Sequence, residues 1–395
     1  MQKRIFISLF MSIGLAIVLL IIVTSCMGCG RSLENSIDIK KKCIGVIETS
    51  DNKNCSYIGW YDYNLKYKGK SSIGVANVSG TGCRSVRKDD YVYLVTGGGK
   101  KSSSPSSVIC LDMSNNKSNV SIYKSSRYIN DITVDKDLYT TSCEYMGTNV
   151  SFIDKIVDKS RKKSSLSIEN IVISKIYIYK NKLYAIGFGY DNYGESEKVY
   201  SKLYVIDSNH MKILKELDVS DKVIDASDML VYKDDLYIAA RTKRGEDGLE
   251  IDNKELLSMN IKTYKWKSRY VGDKVGQFVG TYDNNDSHYI MFTNYDMVLD
   301  EGNILYSMNL DNEHIGKEYL GDKARDVMLK DNYIYSIGED SIRKYCYTES
   351  NNLFETSLHS KDVASSNVKI LSNKVKLKKC FNNVLSNFTC LIGKR

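Results

Sequence analysis

The sequence predicts an all-β chain: a β-propeller of four-stranded antiparallel blades. Seven blades fit best and six to eight are compatible with the spacing, behind an N-terminal hydrophobic signal or anchor helix. Three observations carry this. A strand–turn–strand unit recurs about every 47 residues between Asp62 and Tyr347. A second, Tyr-bearing strand–turn–strand unit precedes most copies. Outside the signal, no segment shows a sustained 3.6-residue period, so almost no helix is expected. Four strands every ~40–50 residues suit a propeller blade, because one such sheet buries both faces only when neighbours stack on it.

The chain begins with Lys3 and Arg4, then an uncharged apolar run from Ile5 to Val23, then Val23-Thr24-Ser25-Cys26. A charged start, an apolar core and small residues before a cut describe a secretory signal. The four residues ending at Cys26 resemble the lipobox of bacterial lipoproteins. That resemblance implies cleavage before Cys26 and lipid on its thiol. The expected organisation is a lipoprotein signal peptide at 1–25, a polar tether at 26–42 and the propeller at 43–395. The competing reading is a single N-terminal transmembrane anchor, since the nineteen apolar residues can just span a bilayer. Lys3 and Arg4 would then be cytoplasmic. Both readings put the propeller on the extracytoplasmic face of the cell membrane. Cys26-Met27-Gly28-Cys29 has C-x-x-C spacing but follows no strand. The Lys-, Asn-, Ile- and Tyr-rich composition, with one Pro, resembles that of an AT-rich, Clostridium-like Firmicute.

Within 43–395, the first unit is an alternating strand ending in Asp or Asn, a polar turn and a second strand. Its copies centre on Asp62, Asp112, Asp154, Asp207, Asn260, Asn309 and Tyr347. The second unit appears as SVRKDDYVYLV, ITVDKDLYTTS, IYIYKNKLYAIG, MLVYKDDLYIAA and VMLKDNYIYSIG. Short Asp/Asn/Lys turns between alternating runs signal hairpins, because Asp and Asn tolerate positive φ. Each period therefore reads as strands a–b then c–d. The pattern resembles WD40-like and YVTN-type propellers, the stretch KLYVID…MKILKELDV most of all. For closure, 367–379 is expected as an a–b hairpin that joins the c–d hairpin at 57–70 in one blade. Cys43–Thr49 and Val384–Ile392 would extend that blade or form an eighth.

The net charge is +8, from 56 Lys+Arg against 48 Asp+Glu, with both signs interspersed. That is a mildly basic surface without a nucleic-acid footprint. Cys43 with Cys55, and Cys380 with Cys390, are spaced like hairpin partners. The preferred reading makes most of the ten cysteines small buried strand residues, as with Cys110. There is no zinc spacing, no G-x-S-x-G, no P-loop and no dinucleotide fingerprint. Gly97-Gly98-Gly99 reads as a loop, and the four histidines fall in different blades. The basic run Lys159–Lys163 reads as a solvated turn, with anionic lipid or wall polymer as the alternative contact.

Three successive b–c connections are long: Gly189–Lys198, Thr242–Lys254 and Asn294–Asn303. They share one face and are acidic. The candidate binding rim is Tyr190, Asp191, Tyr193, Glu195, Glu246, Asp247, Asp252, Asp296 and Asp300. Such a rim suits a cationic partner or Ca²⁺, although EF-hand spacing is absent. Tyr190 and Tyr193 would stack on sugar or peptide. The preferred function is a lipid-anchored, non-enzymatic binding or scaffold module for a protein, peptide or glycan. No cofactor, metal, catalytic residue or nucleic acid is implied. The alternative is an extracytoplasmic lyase or hydrolase with its site at the channel mouth.

Overall fold

The computed structural model describes residues 43–49, 56–73, 85–97, 106–114, 119–157, 163–191, 198–284, 287–321, 323–330, 333–346, 373–376 and 387–393. The signal segment, Cys26 and the tether lie outside the described residues. The fold is a seven-bladed propeller, each blade a four-stranded antiparallel sheet read a, b, c, d from the channel outward. Among the described residues there is no helix.

Blade 1 takes its strand a from Asn387–Gly393, followed by Cys43–Thr49, Tyr57–Asp62 and Tyr67–Ser72. Blade 2 is Val86–Lys88, Tyr91–Thr96, Ser106–Asp112 and Asn119–Ser125, and blade 3 is Ile129–Val134, Leu138–Tyr145, Asn149–Ile156 and Lys163–Glu169. Blade 4 is Val172–Tyr179, Lys182–Asp191, Lys198–Asp207 and Lys212–Asp218. Blade 5 is Asp225–Tyr232, Asp235–Arg244, Glu255–Asn260 and Trp266–Tyr270, with Glu250–Asp252 added beside strand b. Blade 6 is Gln277–Asn284, Ser287–Thr293, Ile304–Asn309 and Ile315–Tyr319, and blade 7 is Asp326–Lys330, Tyr333–Ile337, Ser341–Cys346 and Asn373–Lys376.

Seven apolar clusters fill the ring, one at each junction of successive blades, including blade 7 against blade 1. Strand periodicity explains them. In blade 4, Leu183 and Ala185 pack toward blade 3, whereas Tyr184 and Ile186 pack toward blade 5. Alternate side chains point to opposite faces, so a strand buried on both faces reads as a continuous apolar run. Cys110 is one such buried strand residue, and it forms no disulfide among the described residues. The proposed partners Cys55 and Cys380 lie outside the described residues.

Closure joins the chain ends in one blade, as expected, but with other strands. Asn373–Lys376 is strand d of blade 7, not half of an a–b hairpin. Strand a of blade 1 is instead Asn387–Gly393, paired antiparallel to Cys43–Thr49. The segments read as spare therefore close the ring. Alternation identifies a strand but does not say which edge it pairs with. Gly45 shows how tight this blade is. A Cβ there would sit 2.9 Å from Trp60 Cζ3, and Trp60 Nε1 donates to Ser71 Oγ at 2.9 Å.

The Asp or Asn ending strand c has a local task. Asp207 accepts the backbone N–H groups of Asn209 and His210, Asn260 those of Lys262 and Thr263, and Asn309 those of Asp311 and Asn312. Met211, Tyr264 and Glu313 then take positive φ to reverse the chain. The a–b turns use Asp89, Lys180–Asn181 and Lys233 in the same left-handed region. Strands a of blades 3 to 6 carry a bulge at Asn130, Ser174, Ser227 and Val279. The bulges re-aim polar groups into the next blade. Asn130 Nδ2 donates to Ile173 O while Asp131 accepts Ile176 N–H. Ser227 Oγ donates to Gly276 O while Asp228 accepts Phe278 N–H.

Candidate binding face

Strand a starts, and strand b ends, on the face that carries the b–c and d–a connections. The three long b–c connections therefore share that face. In blade 5 the connection is a β-hairpin, with Thr242 opposite Asp252, Lys243 opposite Ile251 and Arg244 opposite Glu250. Its tip turns at Gly248, with φ +83°, and Asp247 accepts Leu249 N–H. Asn253, fully buried, pins the base: its Nδ2 donates to Ala240 O and Glu255 O, and its Oδ1 accepts Glu255 N–H. Every polar atom of that buried amide is aimed at backbone, so the hairpin leaves the ring in a fixed direction.

In blade 6 the connection is held at both ends. Asp296 and Glu301 exchange backbone hydrogen bonds. Asn294 accepts Ile304 N–H and donates to Asp273. Gly302 has φ +114°, and a Cβ there would lie 2.5 Å from Asn294 O. Asp296 accepts Val298 N–H and Leu299 N–H and faces Lys274 at 3.4 Å. Asp300 receives Arg325 and Lys323 from the next blade junction and the Tyr295 hydroxyl. Hydrogen bonds from the Arg325 guanidinium, ahead of those from Lys323 and Tyr295, hold the Asp300 carboxyl well below the usual carboxylate range despite partial burial. Both carboxylates thus serve the loop itself.

Between them, Met297, Val298 and Leu299 face solvent, Val298 at 71% exposure. On the hairpin, Leu249 and Ile251 are exposed. Among the described residues, eleven of the fifteen exposed large apolar or aromatic side chains lie on this face. Besides those five they are Tyr128, Tyr145, Met146, Tyr190, Tyr270 and Tyr319. Isolated exposed apolar residues are ordinary, and in general it is contiguous apolar patches that mark interaction surfaces.

The sequence-predicted rim residues divide accordingly. Glu246, Asp247 and Asp252 are exposed on the hairpin. The side chains of Glu246 and Asp252 have no hydrogen bond or ion pair among the described residues, while Glu250 accepts the Thr242 hydroxyl. Tyr190 is exposed at the end of its strand, its ring edge-on to Phe188. Asp191 pairs in register with Lys198. Tyr193, Glu195 and Glu197 lie outside the described residues. Of the basic run, Lys163 is exposed and also reaches the buried Asp154 at 2.8 Å, and 159–162 are outside the described residues.

Elsewhere, innermost-strand carboxylates pair with cations, between blades 3 and 4 in one case and within blade 5 in the other. Asp131 faces Lys175 at 3.6 Å, and Arg241 Nε donates to Asp225 at 2.9 Å. Burial pushes the Asp225 carboxyl up, against the opposing pull of Arg241. Asp283, His288 and Tyr232 form a cluster on the a–b turn face, and His288 shares blade 6 with His314, so the histidines do not all fall in different blades as the spacing predicts. No group of three or more His, Cys, Asp or Glu among the described residues is arranged to hold a metal ion.

A groove of about 530 Å³ opens between blades 5 and 6. Val271, Ile304, Tyr306 and Ile315 give it apolar walls, with Asp273 at its upper end and Glu313, His314 and Lys317 lower down. Asp273 accepts three neutral donors, the Tyr306 hydroxyl, Asn294 Nδ2 and Lys274 N–H. Glu313 is paired with Arg269 at 2.8 Å.

No family model and no curated protein matches the chain. Solved structures do. A candidate 6-phosphogluconolactonase from Bacteroides uniformis is 9% identical, with 89% of this chain and 99% of that one covered and a TM-score of 0.51. The β-propeller domain of the trilobed protease from Pyrococcus furiosus is 13% identical over 67% of this chain and 82% of that one, TM-score 0.42. AztD from Citrobacter koseri is 10% identical over 78% and 80%, TM-score 0.43. At these identities the likeness is one of fold alone.

Proposed function

We propose that this chain is a lipid-anchored, extracytoplasmic propeller acting as a non-enzymatic binding platform, with the b–c and d–a face as its working surface. The observation carrying this reading is the concentration of exposed apolar side chains on that face, on connections whose bases are rigidly held. Rigid scaffolds that display adaptable loops are where binding residues gather. The anchoring part rests on Val23-Thr24-Ser25-Cys26 behind an uncharged core. Cys26→Ala is expected to leave the chain unacylated and uncut, as read by mass spectrometry. A photoreactive residue placed at Leu249 or Val298 on whole cells is expected to crosslink a partner, whereas one at Leu214 or Tyr91 is not. Equal crosslinking from both faces would sink the reading. The second reading, a hydrolase or lyase at the channel mouth, is favoured by the Asp225–Arg241 pair, where burial raises the carboxyl. Substrate turnover abolished by Asp225→Asn with binding retained would support it instead.

A further inference from the structure

We propose that the junction of blades 5 and 6 docks a basic polypeptide segment, which seats an apolar side chain in the inter-blade groove and a Lys or Arg beside Asp273. The proposal rests on the binding-platform reading and names its partner. Three observations converge on it. The groove has apolar walls in Val271, Ile304, Tyr306 and Ile315, so it suits an apolar side chain. Its upper end carries Asp273, whose hydrogen bonds come only from neutral donors. Lys274, the adjacent cation, points instead to Asp296 and Glu301. The carboxylate charge therefore remains for a partner's cation. Asp273 is tied to Asn294, the first residue of the blade 6 connection that carries the exposed Met297–Leu299 tip.

Charge decides between occupants. The blade 5 hairpin adds Glu246, Asp247, Glu250 and Asp252 beside exposed Leu249 and Ile251, and these four outnumber the cations of the same connection, Lys243, which pairs with Glu255, Arg244 and Lys254. An anionic lipid surface would be repelled by these carboxylates, and so would an acidic protein. A basic segment gains from them on approach, while its apolar anchors supply the residence time. Lys317 lines the lower groove, which keeps the partner's cation at the upper end.

The test uses the full-length chain in detergent and two labelled peptides with the same leucines, one carrying lysines and one carrying glutamates. The lysine peptide is expected to bind at least about tenfold tighter, with affinity falling as salt rises. Ile315→Trp fills the groove and Asp273→Asn removes the charge, and each is expected to weaken that binding about tenfold. Lys317→Glu is a milder change at a partly exposed position. It is expected to strengthen binding, which keeps the test decisive if Ile315→Trp does not fold. Equal binding of both peptides, or indifference to Asp273→Asn and Lys317→Glu, overturns the proposal. Binding to phosphatidylglycerol vesicles in preference to the lysine peptide overturns it in favour of a lipid surface. A neutral or acidic protein crosslinked at Leu249 would retain the binding platform and reject the basic partner, so the two failures are distinguishable.

Discussion

The c–d turns and the blade 6 b–c connection use the same local chemistry on opposite faces. In the turns, Asn260 and Asn309 accept the N–H groups two and three residues on, and the residue next in line packs inward: Ile261 is buried and Leu310 joins the core between blades 5 and 6. In the connection, Asp296 accepts the same two N–H groups, yet Met297, Val298 and Leu299 point to solvent. The difference lies in the setting. A c–d turn sits over the blade junction and its apolar residue finds a core. The connection is lifted off the ring by the Asp296–Glu301 exchange, and its apolar residues join no core cluster. One face is a folding frame, and the other spends the same device on display.

The strongest way to break the comparison is to remove the ring beneath both faces. Ending the chain at residue 386 deletes strand a of blade 1 and strips the pairing from Ile44 to Thr49. An open ring exposes edges that template association. The expected outcome is loss of cooperative thermal unfolding, with oligomers on size exclusion. A truncated monomer that melts like the full chain would show that closure is not needed.

Next comes the base of the display connection. Gly302→Val puts a β-branched side chain at φ +114° and against Asn294 O. The expected cost is about 3 kcal/mol, read as a lower urea midpoint at unchanged slope. Such a loss would show that the base belongs to the frame even though the tip does not.

How far the sequence reveals this division can be judged from particular residues. The recurring Asp and Asn, the Lys/Asp/Asn turns and the alternating strands are local signals, and the structure returns them as seven blades. The closing strand was harder. Asn387–Gly393 and Cys43–Thr49 pair across the whole chain, and alternation does not name a partner. Charge marks the rim in the sequence, yet Asp296 and Asp300 hold the loop together, while the exposed groups include Leu249, Ile251 and Met297–Leu299. Three adjacent apolar residues between two aspartates, inside a connection, were a visible signal. Asp273 was not legible, since its groove exists only once blades 5 and 6 stack.

A smaller test sits on the frame face. Asn260→Ala removes the acceptor for Lys262 and Thr263 and the donor to Asp235. About 1 kcal/mol of stability should be lost, with crosslinking from Leu249 unchanged. A change in crosslinking would mean the two faces are coupled.

Asp300 gives a pH signature for the display face. Its folded pKa lies below the ordinary 3.8, so its contribution is present above about pH 4 and is lost as pH falls toward the folded value. Asp300→Asn should cost about 1 kcal/mol at pH 7, since the carboxylate is 38% exposed and solvent screens the pair. Wild type should then lose more stability than the variant on acidification below pH 4. Parallel pH profiles would remove Asp300 from the frame.

The smallest effect on stability carries the most about function. Leu249→Ser with Val298→Ser replaces two side chains that are 60% and 71% exposed. Neither belongs to a core cluster, so the melting temperature should move by no more than about 0.5 kcal/mol of stability allows. Partner crosslinking and lysine-peptide binding should nevertheless fall, because the apolar area these side chains would bury against a partner is lost. The paired control is Leu214→Ser on the outer strand of blade 4, exposed to a similar degree but away from the display face. If the control lowers binding as much as the double change, exposure alone is sticky and the distinction between the faces fails. If only the double change does so, the faces differ in function as they differ in construction.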